Sequence, residues 1–259
     1  MHAGFHKCLT VYFKRVFLGV ASQHRLEWRK ITRKDLNQAT LSELRESCKA
    51  KAMVFHADDV TDQVRQEYFP GIKGSHVIRD PRDLVISAAF YHHICGEEWC
   101  QMAVDRILPS GTIENLVRKF SMKEPGSGDS YQSYLRKHNM EESFIIEMLR
   151  MTKVFKALKN WDYQNPDFIE LRYEEIIGNE KEAFTRIFRH YEFPRSWIRT
   201  GMDFADRFSL GRKEGNIKHV RSGKIAQWKE VFTPRMKDLF KEYQGDLLIH
   251  LDYETGFDW

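Results

Sequence analysis

Three short apolar runs, at 52–55, 76–78 and 168–171, limit this chain to a narrow set of folds. Each is too brief for a helix, and each gives way to a polar turn and then to helical periodicity. Runs of that length suit strands buried on both faces, as in a parallel sheet. Helical patterns follow at 81–93, 112–120, 131–159, 181–191 and 234–242, and Pro81 falls where a first helical turn tolerates a missing N–H. Strands alternating with helices predict an α/β fold, a central and mostly parallel sheet flanked by helices. Ligands of such sheets sit beyond the carboxyl ends of the strands.

With 259 residues, 42% of them hydrophobic and 30% charged, the chain can bury a sizeable core. The Gly- and Ser-containing stretch from Glu124 to Ser130 reads as an exposed loop, and patterning on either side predicts one domain over 1–259. No stretch approaches the roughly 20 apolar residues that span a bilayer. The start of the chain lacks the apolar region of a signal peptide, so the expected setting is the cytoplasm, with no membrane partner. The net charge of +4 is spread along the chain, and no nucleic-acid module is visible, so no nucleic-acid partner is expected. Cys8, Cys48, Cys95 and Cys100 are too few for a disulfide scaffold and fit a reducing compartment. Cys95 and Cys100 lie near His92 and His93, but in no common zinc spacing, and no metal is expected.

Three segments carry chemistry. The first is Gly4-Phe5-His6-Lys7-Cys8-Leu9-Thr10-Val11-Tyr12, a loop feeding a helix. Such a start offers unpaired N–H groups and the positive end of the helix dipole to an anion. Lys7 adds charge and Thr10 a hydroxyl; the plain alternative is a turn with a solvated lysine. It is not the Walker pattern, in which Ser or Thr follows the lysine directly. The second segment, Arg79-Asp80-Pro81-Arg82-Asp83 through Ser87, places an arginine at a strand end and a hydroxyl two helical turns later. That pair suits a phosphate, although Asp80 before Pro81 is also a good helix start. The third, Arg221-Ser222-Gly223 through Trp228 and Phe232, offers a basic, glycine-containing anion loop or a surface loop packed by its aromatics.

Taken in order, these segments resemble the cytosolic-type PAPS-dependent sulfotransferases, PAPS being 3′-phosphoadenosine 5′-phosphosulfate. The likeness runs from Gly4 almost to Trp259 and implies a P-loop-like three-layer fold. It implies that Lys7, Cys8, Leu9, Thr10 and Val11 hold the 5′-phosphosulfate. It places Tyr12 against adenine and Tyr173 near the nucleotide. Arg79, Ser87, Arg221, Ser222 and Gly223 would hold the 3′-phosphate. His56, at the end of the strand before Arg79, matches the family's general base, with Lys7 as the other catalytic residue. PAPS would be the sulfuryl donor, PAP the product and a small molecule the acceptor, with a homodimer left open.

This sequence departs from the family in three places. Leu9-Thr10-Val11 stands for Gly-Thr-Thr, and Arg221-Ser222-Gly223 for Arg-Lys-Gly. Only Met1-His2-Ala3 precede the first loop, so the family's first strand is either very short or lost. The region 91–130 reads as an insertion beside the acceptor pocket, with Tyr91, His92, His93, Glu97, Glu98 and Trp99 as its chemistry-bearing residues. The alternatives weighed are a PAPS-binding but inactive relative and a P-loop nucleotide kinase.

Overall fold

The computed structural model of the chain describes residues 1–5, 7–31, 43, 53–58, 73–209 and 223–259. Five strands form one sheet: β1 (His2–Gly4), β2 (Glu27–Ile31), β3 (Met53–Asp58), β4 (Gly74–Ile78) and β5 (Phe168–Arg172). Their order is β2-β3-β1-β4-β5, and every pair is parallel. The first strand is therefore present, three residues long, and central. Its brevity suffices because it is paired on both sides: His2 lies between His56 of β3 and Ser75 of β4.

The described residues divide into two compact units. The first, 1–79 with 160–223, holds the whole sheet. On one sheet face His2 stacks on Phe13, with ring centroids 4.1 Å apart, and donates to or accepts from Ser75 at 2.9 Å. Phe13 and Phe17 come from helix Thr10–Gln23 and meet Phe184 of helix Glu180–His190. Helix Arg195–Phe208 packs beside both, and Gly201 is what lets it approach. A Cβ there would stand 2.0 Å from the ring of Phe188. On the opposite face, by the two-residue alternation of strands, His76 stacks on Trp161 at 4.1 Å and bonds Glu170 at 2.7 Å.

The second unit, 80–159 with 224–259, is helical. Several of its helices begin at side-chain caps that the sequence supplies. Asp80 accepts from Arg82 N, Ser130 from Ser133 N and Thr233 from Met236 N. The continuous pattern expected over 131–159 is three helices instead, Tyr131–Arg136, Met140–Arg150 and Thr152–Asn160. The break has a cause: Asn139 and Glu142 form a capping box that starts a new helix after Lys137. The last helix, expected over 234–242, runs on as Pro234–His250. Arg82 holds this unit's C-terminal segment. Its guanidinium lies 3.6 Å from the Trp228 ring and 4.5 Å from Trp259, and donates to Asp80 and Glu254. Trp228 and Phe232 are buried, as their spacing suggests. Among the described residues no helix is long and apolar enough to cross a membrane.

Candidate anion-binding site

The winding of the sheet locates the site. From β1 the chain crosses to β2 on one side, whereas from β4 it proceeds to β5 on the other. The carboxyl ends of β1 and β4 thus flank the point where the strand order reverses, the place where open α/β sheets leave a crevice. What leaves β1 there leads through Lys7, Cys8 and Leu9 into helix Thr10–Gln23. What leaves β4 is Arg79.

Cys8 is buried and its N–H bonds Phe5 O at 3.0 Å, closing a turn. Lys7 (φ 67°) and Leu9 (φ 61°) both adopt left-handed backbone, which costs a residue with a Cβ about 1–2 kcal/mol. Leu9 is the N-cap of the helix and contributes no side-chain cap. The first intrahelical bond runs from Phe13 N to Leu9 O, at 2.9 Å. Helix geometry therefore directs the amides of the first turn, those of Thr10, Val11 and Tyr12, outward from the helix start. A 14-residue helix with no side-chain cap, preceded by a lysine, is electrostatically prepared for an anion. The strain at Leu9 is directly measurable. Leu9→Gly is expected to melt above Leu9→Ala by about 1 kcal/mol, or about 2–4 °C, because glycine alone accepts this φ freely. Equal midpoints for the two variants would show that Leu9 is unstrained.

Arg79 closes the other side. It is 4% exposed, its guanidinium carbon sits 4.1 Å from the centroid of the Tyr173 ring, and Nη1 makes a long hydrogen bond, 3.4 Å, to Lys7 O. Tyr173 is the first residue of the short helix Tyr173–Ile176 that follows β5, and is also 4% exposed. Three of the residues singled out in the sequence, Lys7, Arg79 and Tyr173, are thus brought together by three strand ends.

The remaining residues fall out differently. Thr10 opens the helix and Val11 is partly exposed. Tyr12 is buried in the core: its hydroxyl donates to Ala205 O at 2.7 Å and its ring meets Phe184 edge-on at 5.4 Å. Burial, with the carboxylates of Glu180 and Asp206, pushes its phenol far up, which leaves it a donor. These contacts also anchor the helix to its neighbours. His56 lies within β3, which runs on to Asp58, so it is not the last residue of its strand. Ser87 is half-buried on helix Pro81–His92, in the second unit. Arg221 and Ser222 lie outside the described residues; Gly223, with φ 64°, is described. Among the described residues no group of three or more His, Cys, Asp or Glu side chains is arranged to hold a metal ion.

No family model matches the sequence, and no curated protein aligns with it significantly. Solved structures do match. Retinol dehydratase in complex with androsterone and the inactive cofactor PAP superposes over 95% of this chain and 79% of its own, with a TM-score of 0.58 and 14% identity. The chain shares its fold. The complex of retinol dehydratase with retinol and PAP agrees, at 95% and 80% coverage, a TM-score of 0.52 and 15% identity. At such identity the likeness to retinol dehydratase concerns backbone architecture, an α/β arrangement built on a parallel sheet.

Sequence reasoning found Lys7, Arg79 and Tyr173 but missed what joins them. The stacking of Arg79 on Tyr173 links β4 to β5, and no local spacing announces it. A signal does exist in the strand pairing. Ile78 is in register with Arg172, so the residues that follow each of them emerge side by side.

Proposed function

We propose that this chain is a PAPS-dependent sulfotransferase that moves a sulfuryl group to a hydroxyl or amine of a small-molecule acceptor, leaving PAP. The observation that carries this reading is the convergence of Arg79, Lys7 and an uncapped helix start at the reversal point of the sheet. The order of the three sequence segments supports it. So does the fold shared with retinol dehydratase, which has been crystallised with PAP and with small molecules.

The residues fit such a donor. The outward amides of Thr10 and Val11 and the ammonium of Lys7 would meet the 5′-phosphosulfate, and Arg79 the 3′-phosphate. PAPS supplies a sulfuryl group already joined to a good leaving phosphate. Transfers of this kind pass in line through a loosely bonded group, so the protein's work is positioning and charge stabilisation. Lys7 and the loop amides stabilise negative charge on the departing phosphate oxygen. In this reading His56 accepts the proton of the attacking acceptor, the general-base role for which an imidazole is suited near neutral pH.

Two measurements test the proposal. PAP at about 100 times its Kd should raise stability by about 2.7 kcal/mol, or about 5–11 °C, and ATP should not. A shift with ATP alone would favour a nucleotide kinase. Labelled PAPS offered with a panel of phenols, alcohols and amines should then give a labelled product. Binding without transfer to any acceptor would favour the inactive relative instead. His56→Ala should slow transfer by at least about 10²-fold, and unchanged turnover would remove His56 from the mechanism.

A further inference from the structure

In the second unit, helix Pro81–His92 ends in a turn that doubles back through the short 3₁₀ helix Glu98–Gln101. The turn brings Cys95 and Cys100 into contact, with their Sγ atoms 3.0 Å apart, and both are present as thiols. The surrounding bonds hold them there independently of sulfur chemistry. Cys95 N donates to Tyr91 O at 2.8 Å, and Cys100 N to Glu97 O at 3.0 Å. Glu97 also accepts from the Tyr91 hydroxyl at 2.6 Å and from the Trp99 indole. From helix Tyr131–Arg136, Gln132 donates to the carbonyls of both His92 and Cys95, at 2.8 and 2.7 Å. Two thiols fixed in contact by this many anchors have little chain entropy left to lose on joining.

We propose that Cys95 and Cys100 are a reversible dithiol–disulfide pair, oxidised by thiol–disulfide exchange with a small disulfide such as oxidised glutathione. The surface around the turn sets the order of events. Cys100 is fully buried, whereas Cys95 retains 6% exposure, and its neighbour Ile94 is 75% exposed. The other neighbour, Gly96, has open space where a Cβ would be. Cys95 is the entry thiol. Its thiolate attacks one sulfur of oxidised glutathione, forming a mixed disulfide and releasing one glutathione thiolate. Cys100 then attacks Cys95 Sγ and expels the second. The protein loses two protons and two electrons, and oxidised glutathione becomes two reduced molecules. Burial, with the contact to Cys95, pushes the Cys100 thiol up, so the second step quickens as pH rises from 7 to 9. Once made, the bond ties the end of helix Pro81–His92 to the 3₁₀ helix. This pairing does not depend on the sulfotransferase reading.

The test uses the full chain. One portion is incubated with oxidised glutathione, another with dithiothreitol, and both are alkylated after unfolding and digested with trypsin. The peptide 83–106 carries both cysteines. After oxidised glutathione it should appear two hydrogens lighter and unalkylated, and the chain should melt about 4–8 °C above the reduced form. Cys95→Ser should abolish both effects, and Cys8→Ser should leave both in place. The proposal is overturned if both thiols alkylate after oxidation, if glutathione stays attached to Cys95, or if the bond maps to Cys8 or Cys48.

Discussion

Arg79→Ala should weaken PAP binding by about 10²–10⁴-fold, as read by calorimetric titration. The reasoning begins with the geometry. Tyr173 holds the guanidinium from one side, and the Lys7 carbonyl anchors one of its nitrogens. The arginine therefore reaches a ligand already oriented, with little rotamer entropy to lose. Hydrogen bonds to a charged partner contribute about 1.5–3 kcal/mol each, and a bidentate pair makes two. Arg79→Lys keeps the charge but neither the planar fork nor the stacking, so it should recover only a small part of the loss. A PAP affinity unchanged by Arg79→Ala would mean that the anion does not bind where β1 and β4 end, and the donor assignment would fail with it.

The second large effect concerns the helical unit. Glu147 is completely buried, and its carboxylate accepts from Tyr131 OH at 2.6 Å and from Arg150 Nε at 2.8 Å while pairing with His92 Nδ1 at 2.5 Å. Burial by itself would raise the carboxyl, but Arg150, His92 and Tyr131 together hold it well below the usual carboxylate range. Glu147→Ala leaves all three partners without it, and breaking a buried ion pair in this way costs about 3–5 kcal/mol. The midpoint of thermal unfolding should fall by about 6–20 °C. The pH dependence has a definite sign. A depressed carboxyl binds fewer protons folded than unfolded, so its contribution is complete above the unfolded value of about 4.3. It is lost as pH falls below that toward the folded value. The stability gap between the natural chain and Glu147→Gln should therefore narrow between pH 5 and pH 2. A gap that is constant with pH would show that folding does not depress the Glu147 carboxyl, and one that widens as pH falls would show it protonated in the native state.

What could be read from the sequence was what depends on local pattern. β4 and β5 are short apolar runs beside a polar turn, and both are strands. β1 was nearly invisible because three residues have no period. β2, Glu-Trp-Arg-Lys-Ile, carries three charges and resembles a surface segment. Helix Arg195–Phe208 was missed because its N-cap is Pro194, with no side-chain cap to mark it. At the site, Lys7 and Arg79 were legible as basic residues at strand ends. The burial of Tyr12 was not, because Ala205, the residue its hydroxyl bonds, is remote in sequence and joins it only through the packing of two helices.

The central place of β1 has a consequence for how the polypeptide acquires its shape. Its pairing partners lie in β3 and β4, and β4 in turn needs β5 on its outer edge. Residues 2–4 must therefore wait, once synthesised, until strand partners far along the chain have emerged. Contacts this distant in sequence are slow to form, because loop closure comes before the gain from pairing. Refolding from denaturant should accordingly be slow, and most open to aggregation in the interval before residues 2–4 slot between their neighbours.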